Sequence, residues 1–564
     1  MDENNKAVKG ATSKEQPLLA VENLSVSFFV AGLQKRVTEG VSFSLKEGEI
    51  LGIAGESGSG KSMTALAVMG LLPAEAVREC TDISFGGKSL CYSGKKGKKK
   101  EEKARQALSG KEMAMIFQEP LTSLNPVLTI GRQMEEPLLL HTELTKEQRK
   151  EEIIQALSRA ELKHPEKLLA LYPHHLSGGM RQRVMIAMAM MNKPRLLIAD
   201  EPTTALDAVT EREIVELIRR QAKENNTAVL FISHDLSLLS SLCDRVMIMK
   251  DGRIVEEGET LRIFTAPEHA YTKKLLAAAK GGKREQALLS QKETPLLLSV
   301  KELSVRYKRS GLFAVKEENN VVSGVSFAVK EKEIFGIVGE SGCGKSTLLK
   351  VIAGLHREFD GVVERRGQEM RQQKTVGKRT GKPGVSMVFQ DPYTSLNPAK
   401  TVGWILEEPL RLNTDLKKEE RRSRVKELLA ETELPEDVIG RPVSELSGGQ
   451  RQRVAIAAAL ITNPELVLLD EPVSALDVTV QVQILELLLR LQKEHGLTYV
   501  FVSHDMSVVR KICDRVMVMK DGMVVECGQT EQMFANPKEA YTKKLLGEKE
   551  ISHSAKKQLT RQGM

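Results

Sequence analysis

Long apolar runs are absent from this chain of 564 residues. No stretch reaches the roughly 18 apolar residues that a membrane-spanning helix needs, so the sequence predicts no such helix. Residues 1–6 are polar and lack the apolar centre of a signal peptide. We therefore expect the protein to stay in the cytoplasm.

Cysteine motifs are absent as well. The chain has six cysteines and no C-x-x-C pair. Zinc and iron–sulfur sites use cysteines at short, regular spacings, so the sequence favours reduced structural thiols over a metal centre. Strong net charge is also lacking, because a balance of +8 is modest for this length. It permits contact with anionic lipid or nucleic acid without requiring either.

Length and composition bound the fold. A hydrophobic content of 41% and a charged content of 28% are typical of a globular protein. A chain of 564 residues is too long for one hydrophobic core, so we expect two domains of about 250 residues each.

A phosphate-binding loop of the form G-x-x-x-x-G-K-[ST] occurs twice. The first copy consists of Gly55, Glu56, Ser57, Gly58, Ser59, Gly60, Lys61 and Ser62, followed by Met63. The second consists of Gly339, Glu340, Ser341, Gly342, Cys343, Gly344, Lys345 and Ser346, followed by Thr347. Glycines let successive N–H groups point at one anion, and the next helix adds its positive N-terminal end.

The residue types in this loop are those that bind a nucleoside triphosphate. We expect the lysines to reach the β- and γ-phosphates and the serines to hold Mg²⁺. A glycine-rich turn without a ligand is the alternative. An apolar strand before each loop and a helical pattern after it favour the nucleotide-binding interpretation.

Four more segments recur in the same order. The pairs are 115–126 with 387–398, 176–183 with 446–453, 196–202 with 466–472, and 233–235 with 503–505. The interval between loop and second motif is longer in the first copy and contains the lysine-rich segment 95–103. We predict a solvated surface loop there, with contact to anionic lipid head groups as the less favoured alternative.

The repeat sets the expected domain boundaries. Segments 130–171 and 402–443 carry charged amphipathic patterns and are predicted to form helical inserts. The predicted divisions are a polar tail over 1–17, a first domain over 18–276, a linker over 277–294, a second domain over 295–546 and a polar tail over 547–564.

The ordered set of motifs strongly resembles the ATP-binding cassette (ABC) ATPases, and the resemblance covers nearly the whole chain twice. The Ser-Leu-Asn-Pro segments, Tyr172-Pro173-His174 and the similar segments 269–276 and 539–546 are most like the peptide, opine and nickel importer branch. In that branch the two ATPases are commonly separate proteins, whereas here they are fused. The branch often has a C-terminal cysteine cluster, which this chain lacks.

This resemblance implies an α/β fold with two P-loop nucleotide-binding domains. Each would have a RecA-like parallel-sheet core, an antiparallel β subdomain and a helical subdomain. It also implies roles at the site. Glu201 and Glu471 would be general bases, and His234 and His504 would contact the γ-phosphate. Asp200 and Asp470 would hold Mg²⁺ through water, and Gln118 and Gln390 would contact Mg²⁺ or water and relay the nucleotide state.

The resemblance further implies that each ATP is shared between the two domains. Helices expected to start near Arg181 and Arg451 would follow the signature residues Ser177, Gly178, Gly179 and Ser447, Gly448, Gly449. Lys61 would then share one ATP with Ser447, and Lys345 the other with Ser177. Segments 205–207 and 475–477 would line the seam between the domains.

Two aromatic residues at equivalent positions, Phe28 and Tyr307, are candidates to stack on adenine. Phe29 is a competing candidate, and a core role is the alternative for all three. Both copies keep every catalytic residue type, so we predict two hydrolytically competent sites.

The function that these motifs favour is the ATPase of an importer, a Mg²⁺-dependent enzyme that hydrolyses ATP. It would work with two transmembrane permease subunits and an extracytoplasmic solute-binding protein, at the cytoplasmic face of the membrane, with no nucleic acid partner. The cargo would be peptides, or nickel- or opine-type solutes. The first alternative, an F-type ABC factor acting on ribosomes, needs a longer charged helical linker than 277–294. A DNA-repair or chromosome ATPase would need zinc-binding cysteine sets or long coiled coils.

Overall fold

The computed structural model describes residues 16–30, 33–91, 94–118, 123–204, 206–280, 294–308, 318–370, 384–474 and 476–546. Most of the predicted tails and linker therefore lies outside the described residues, as do Ala205 and Ala475 of the predicted seam. Two units make up the chain: the first comprises Met1–Leu206 and Thr210–Ala279, and the second comprises Lys280–Met564 together with Asp207–Val209. Within the described ranges, no helix has both the length and the apolar character needed to cross a membrane.

The first unit contains two sheets. Its strands are β1 (Leu19–Val30), β2 (Leu33–Leu45), β3 (Ile50–Gly55), β4 (Ala76–Glu79), β5 (Asp82–Phe85), β6 (Lys88–Ser89), β7 (Met113–Ile116), β8 (Leu196–Asp200), β9 (Ala228–Ile232), β10 (Arg245–Lys250) and β11 (Arg253–Glu259). The central sheet has the order β11-β10-β3-β9-β8-β7. Only β11 runs antiparallel to its neighbour there.

The other sheet of the first unit is antiparallel, with the order β2-β1-β5-β6 and with β4 also paired to β1. The central strands β3, β8 and β9 are buried throughout. Alternate residues of β3 serve two hydrophobic clusters: Ile50 and Ala54 pack towards the helical insert, and Leu51 and Ile53 pack towards the antiparallel sheet. Burial on both faces explains why these strands are continuous apolar runs.

Helices surround these sheets. They are α1 (Lys61–Met69), α2 (Gly94–Leu108), α3 (Ile130–His141), α4 (Lys146–Arg159), α5 (Pro165–Leu168), α6 (Gly178–Met190), α7 (Ala208–Asn225), α8 (Leu236–Leu242), α9 (Thr260–Thr265) and α10 (Ala270–Lys280). The insert helix α4 begins with a capping box between Thr145 and Gln148. A short 3-10 helix spans Pro173–His175.

The second unit repeats this plan. Its strands are β12 (Leu296–Lys308), β13 (Glu318–Lys330), β14 (Ile334–Val338), β15 (Asp360–Arg365), β16 (Gln368–Glu369), β17 (Val385–Val388), β18 (Leu466–Asp470), β19 (Thr498–Ser503), β20 (Arg515–Lys520) and β21 (Met523–Gln529). The central sheet has the order β17-β18-β19-β14-β20-β21, and the antiparallel sheet has the order β13-β12-β15-β16.

The helices of the second unit follow a similar order, without a counterpart of α2 among the described residues. They are α11 (Lys345–Ile352), α12 (Pro392–Ser395), α13 (Val402–Asn413), α14 (Lys418–Glu431), α15 (Gly448–Leu460), α16 (Val478–His495), α17 (Met506–Ile512), α18 (Thr530–Ala535) and α19 (Ala540–Leu546). Two 3-10 helices span Glu436–Gly440 and Val443–Glu445. The predicted fold class, a parallel core with an antiparallel sheet and a helical insert in each half, is confirmed.

The prediction of a surface loop over 95–103 is wrong, because this segment lies in α2. Glu101 and Arg105, one turn apart on this helix, are buried and form an ion pair of 3.0 Å. Glu101 also pairs with Arg78 at 2.5 Å, and Arg105 donates a hydrogen bond to the carbonyl of Val68 in α1. The surrounding lysines suggested a solvated segment, whereas Glu101 and Arg105 attach the helix to the sheet and to α1 through these bonds.

Two other boundaries differ in detail from the sequence patterns. The helices after the signature residues begin at Gly178 and Gly448, three residues before the expected starts near Arg181 and Arg451. The helix α10 continues to Lys280, four residues into the segment that the sequence assigns to the linker.

Candidate functional site

The phosphate loop joins β3 to α1 in a shape that only glycine fits at two points. A Cβ atom on Gly55 would lie 2.3 Å from the carbonyl oxygen of Met249. Gly60, which caps α1, has a φ of 97°, and a Cβ there would lie 2.8 Å from the carbonyl oxygen of Val37. Close packing on both sides fixes the course of the loop at the N-terminal end of α1, where an anion is favoured.

The lysine of each loop is buried and bonded to its own loop. Lys61 Nζ donates hydrogen bonds of 2.9 Å to the carbonyl oxygens of Gly55 and Glu56. Lys345 Nζ makes the equivalent bonds of 2.8 Å to Gly339 and Glu340. The ammonium group is therefore held at its own loop by the loop carbonyl groups. Ser59 Oγ of the first loop is buried and has no hydrogen-bond partner in the described part of the chain.

A serine and an aspartate meet at the edge of each central sheet. Ser62 Oγ donates to Asp200 Oδ1 at 3.0 Å, and Ser346 Oγ donates to Asp470 Oδ1 at 3.0 Å. Burial raises the pKa of Asp200 to about 6, and it also raises the pKa of Asp470. A bound cation would favour the charged form of both carboxyl groups.

These oxygen atoms suit Mg²⁺, which prefers oxygen ligands and keeps several waters. The described residues contain no group of three or more His, Cys, Asp or Glu side chains arranged to hold a metal. A serine hydroxyl, a carboxylate and substrate phosphates are enough for Mg²⁺, because this ion rarely uses an all-protein cage.

The glutamate that follows each aspartate is the centre of a hydrogen-bonded cluster. Glu201 Oε2 accepts from Gln118 Nε2 at 2.9 Å and lies 3.4 Å from His234 Nδ1. In the second unit, Glu471 Oε2 accepts from Gln390 Nε2 at 3.1 Å and lies 3.1 Å from His504 Nδ1. In each unit the predicted histidine and glutamine thus contact the same carboxylate oxygen of the predicted base.

Backbone geometry helps to present this glutamate. Glu201 has a φ of 45° and Glu471 a φ of 46°, in the left-handed region that costs energy for a non-glycine residue. Each N–H bonds back to the neighbouring strand at 3.0 Å, Glu201 to Ile232 and Glu471 to Val502. The turn is therefore held by the central sheet, and the side chain leaves it towards the histidine.

The two partners favour each other's charge. Burial alone would raise the pKa of Glu201, but the hydrogen bond and the charge of His234 outweigh it and hold the pKa below its ordinary value. Burial alone would lower the pKa of His234, but the contact with Glu201 raises it. Glu471 and His504 shift in the same directions for the same reasons. An ionised glutamate is the form that can accept a proton.

The signature serines cap their helices. Ser177 Oγ accepts from Met180 N and Ser447 Oγ accepts from Gln450 N, both at 3.3 Å. The glycines that follow lie in the first turn, where a Cβ on Gly179 would lie 2.8 Å from Thr210 Cγ2. A serine at the N-cap and glycines in the first turn form a helix end of the kind that favours an anion. Its contact with ATP stays a prediction.

The aromatic candidates for adenine stacking lie on the first strand of each antiparallel sheet. Phe28 is half-buried and pairs in register with Ala76, whereas Phe29 is 62% exposed. Tyr307 is 42% exposed, and its ring centroid is 5.2 Å from that of His356. Their adenine-stacking role stays a prediction.

Two tyrosines at the phosphate loops were not predicted. Tyr271 Oη accepts from Glu56 N at 3.3 Å, and Tyr541 Oη accepts from Glu340 N at 3.1 Å. Each comes from the last helix of its unit, more than 200 residues from the loop that it contacts. The signal was present in the sequence as the repeated Ala-Tyr-Thr-Lys-Lys-Leu-Leu segment, whose tyrosine is its one aromatic member.

Comparison with known families agrees with this geometry. A family profile described as ABC transporter matches residues 38–204 and 322–474. A second, described as the C-terminal region of oligopeptide/dipeptide transporters, matches residues 255–299 and 525–563. The first pair of matches contains both phosphate loops, and the second pair contains both tyrosines.

Curated relatives match along almost the whole chain. The peptidoglycan transport ATP-binding protein YejF of Agrobacterium fabrum is 42% identical over 94% of this chain and 96% of its own. The glutathione import ATP-binding protein GsiA of Pectobacterium atrosepticum is 40% identical over 98% of this chain and 92% of its own.

A solved structure of an archaeal ribosome recycling factor, aABCE1 in complex with the stalk protein aP1, has a TM-score of 0.60 at 23% identity. It covers 95% of this chain and 98% of its own. This likeness shows the tandem fold alone.

The two units therefore define a tandem nucleotide-hydrolysing protein, and the chain belongs to the ABC transporter ATP-binding family. Within that family it is an ATPase of the import systems, with the C-terminal region of the oligopeptide/dipeptide transporters in both halves.

Proposed function

We propose that the chain hydrolyses ATP at two composite sites formed between its own halves, and that this hydrolysis drives import of peptide-class solutes. The observation that carries the proposal is the duplicated cluster around the glutamate. Each of the two units has its own serine–aspartate bond and its own glutamine–glutamate–histidine contacts. Neither half lacks a group that the chemistry needs, which supports two working sites.

Each site would combine elements of both halves. The loop with Lys61 would bind the ATP that the Ser447 helix covers, and the loop with Lys345 would bind the ATP that the Ser177 helix covers. Helix N-termini favour phosphate, so a second helix end adds to the attraction of the loop. Because a linker joins the halves, their encounter would be intramolecular, at an effective concentration of about 1 mM for a linker of suitable length.

The side chains divide the hydrolytic work among them. The loop N–H groups and Lys61 would hold the phosphates, and Glu201 would accept a proton from the attacking water as the oxygen approaches the γ-phosphorus. His234 keeps this glutamate ionised and would contact the γ-phosphate. Ser62, Asp200 and Gln118 would hold Mg²⁺, which supplies positive charge at the phosphate oxygens when it is bound.

The partners follow from the family. We propose two membrane-spanning permease subunits as obligatory partners, because none of the described helices can span a membrane. The chain would attach through them to the cytoplasmic face, and an external solute-binding protein would deliver the cargo. Relatives are named for glutathione import and for peptidoglycan transport, and both cargoes contain amide-linked amino acids. A peptide-like solute is the class that fits both names.

The alternative is a ribosome-acting ABC factor. A ribosome recycling factor shares the tandem fold at 23% identity. Similarity at this level indicates a common fold and gives no support for a common function. The repeated C-terminal region of the oligopeptide/dipeptide transporters favours the importer.

Single substitutions at the glutamates test the two-site proposal. We expect Glu201→Gln and Glu471→Gln each to lower the ATPase rate of the full chain, with turnover at the altered site falling by about 10²-fold or more. Matched controls are Glu224→Gln and Glu494→Gln, equivalent exposed positions on α7 and α16 that should leave the rate unchanged. An unchanged rate in either Glu201→Gln or Glu471→Gln would contradict two equivalent sites.

Co-purification tests the importer assignment separately. The tagged chain should purify from membranes with two multi-spanning proteins. Pelleting with ribosomes, without membrane partners, would favour the alternative.

A further inference from the structure

Two free cysteines lie side by side at the edge of the antiparallel sheet in the first unit. Cys80 follows β4, Cys91 follows β6, and their sulfur atoms are 3.0 Å apart. Both are free thiols and both are half-buried. The pair lies outside the phosphate loop and outside the glutamate cluster, so the hydrolytic mechanism makes no use of it.

Local hydrogen bonds hold the two thiols together. Leu90 N donates to Ile83 O at 2.7 Å, which closes the β5–β6 hairpin just before Cys91. Cys91 N donates to Ser89 Oγ at 3.2 Å. On the other side, β4 is paired with β1 up to Glu79, next to Cys80. The main chain on both sides is thus fixed, and the sulfur atoms need to approach by only about 1 Å to reach bonding distance.

Charges around the pair favour one thiolate. The hydrogen bond with Cys91 lowers the pKa of Cys80 to about 7, and Arg78 acts in the same direction against the effect of burial. Arg78 is itself held at 2.5 Å by Glu101 of α2, and Glu101 also binds Arg105. A thiolate is the nucleophile in thiol–disulfide exchange, so Cys80 is the candidate attacking group.

We propose that Cys80 and Cys91 are a reactive thiol pair that a small-molecule disulfide oxidises to an intramolecular disulfide in the folded chain. The Cys80 thiolate attacks one sulfur of the small disulfide, forms a mixed disulfide and releases one small thiolate. The hydrogen bond with Cys80 and its charge raise the pKa of Cys91, and both effects end once Cys80 is in the mixed disulfide. Cys91 then gives its proton to water and attacks the Cys80 sulfur, which forms the Cys80–Cys91 bond and releases the second small thiolate. The protein thiols lose two electrons, and the small disulfide gains both.

The other cysteines do not offer this chemistry. Cys243, Cys343 and Cys513 are buried, and burial raises the pKa of Cys243 and of Cys343. Cys527 is exposed, but its pKa is also raised. The reaction is therefore specific to the first unit, although the catalytic clusters of the two units match.

The test uses the full-length chain and oxidised glutathione. After reaction, free thiols are blocked, the chain is digested without reductant, and peptides are identified by mass spectrometry. We expect one cross-linked species joining the peptides of Cys80 and Cys91, lost on addition of dithiothreitol. Cys91→Ser should instead trap glutathione on Cys80, and the control Cys527→Ser should form the cross-link at the wild-type rate.

Two results would overturn the proposal. One is recovery of Cys80 and Cys91 as separate glutathione adducts in the wild-type chain. The other is recovery of both as free thiols when the exposed Cys527 has already reacted. Because both outcomes are read in the unaltered protein, a folding defect in a variant cannot produce them.

Discussion

The guanidinium carbon of Arg451 lies 3.4 Å from the ring centroid of Tyr393. Tyr393 belongs to the short helix α12, three residues after Gln390, and Arg451 belongs to α15, whose N-cap is Ser447. The stack thus joins the segment that contacts Glu471, the predicted catalytic base, to the helix that begins with the signature residues. It lies entirely within the second unit and gives a physical route for the predicted relay from Gln390.

Removal of the Tyr393 ring should lower the stability of the second unit. We expect Tyr393→Ala to lower the free energy of unfolding by about 1 kcal/mol, the usual strength of a cation–π contact at a partly exposed site. Urea denaturation followed by circular dichroism would measure it. Tyr393→Phe keeps the ring and should behave like the wild type. Equal losses in both variants would show that the hydroxyl group, and not the stack, matters.

The tyrosines at the phosphate loops should affect nucleotide affinity. Tyr271→Phe together with Tyr541→Phe removes both hydroxyl groups that accept from the loops, at 3.3 and 3.1 Å. A lost hydrogen bond of about 1 kcal/mol corresponds to roughly a fivefold weaker ATP Kd. Isothermal titration calorimetry would give the value. Tyr393→Phe is the control, and an unchanged Kd in the double variant would exclude a positioning role.

The serine hydroxyl of each loop should set the Mg²⁺ requirement. Ser62→Ala with Ser346→Ala removes the groups that bond Asp200 and Asp470 at 3.0 Å. We expect ATPase activity to need a several-fold higher Mg²⁺ concentration, because one oxygen ligand is lost. Ser62→Thr with Ser346→Thr retains the hydroxyl groups and should restore the response. A Mg²⁺ titration that is the same for alanine and wild type would contradict the assignment.

A carboxylate in the C-terminal region of the first unit should make stability depend on pH. Glu256 accepts from the backbone N–H of Glu268 at 2.7 Å and of His269 at 3.1 Å. Burial would raise its pKa, but these bonds outweigh burial and hold it below the ordinary value of 4.5. The folded state thus binds fewer protons than the unfolded state near this pH, so stability falls as pH drops through that range.

Glu256→Gln should therefore cost stability at neutral pH, by about 1 kcal/mol, and the difference from wild type should shrink towards acid pH. Denaturant midpoints at several pH values would show it. Glu224→Gln is the exposed control, and a difference that grows in acid would contradict the sign.

The meeting of Ser62 and Asp200 could be predicted although they are 138 residues apart, because each is placed by its own motif. Ser62 follows the loop after β3, and Asp200 ends the apolar strand β8, so both lie at the same edge of the parallel sheet. The contact of Tyr271 with Glu56 could not be predicted, because no motif marks Tyr271 as a partner of the loop. The pair Glu101 and Arg105 was missed for another reason: it lies within or just beyond a run of lysines that suggests a solvated loop.

The hydrogen bonds from Lys61 to two carbonyl oxygens of its own loop have a consequence for selectivity. The two bonds hold a buried positive charge at the loop. A chain of phosphates carries several negative charges and forms charge-assisted hydrogen bonds with that ammonium group, which a neutral hydroxyl or amide cannot match. We therefore expect the loop to discriminate strongly in favour of polyphosphates over neutral ligands of the same size.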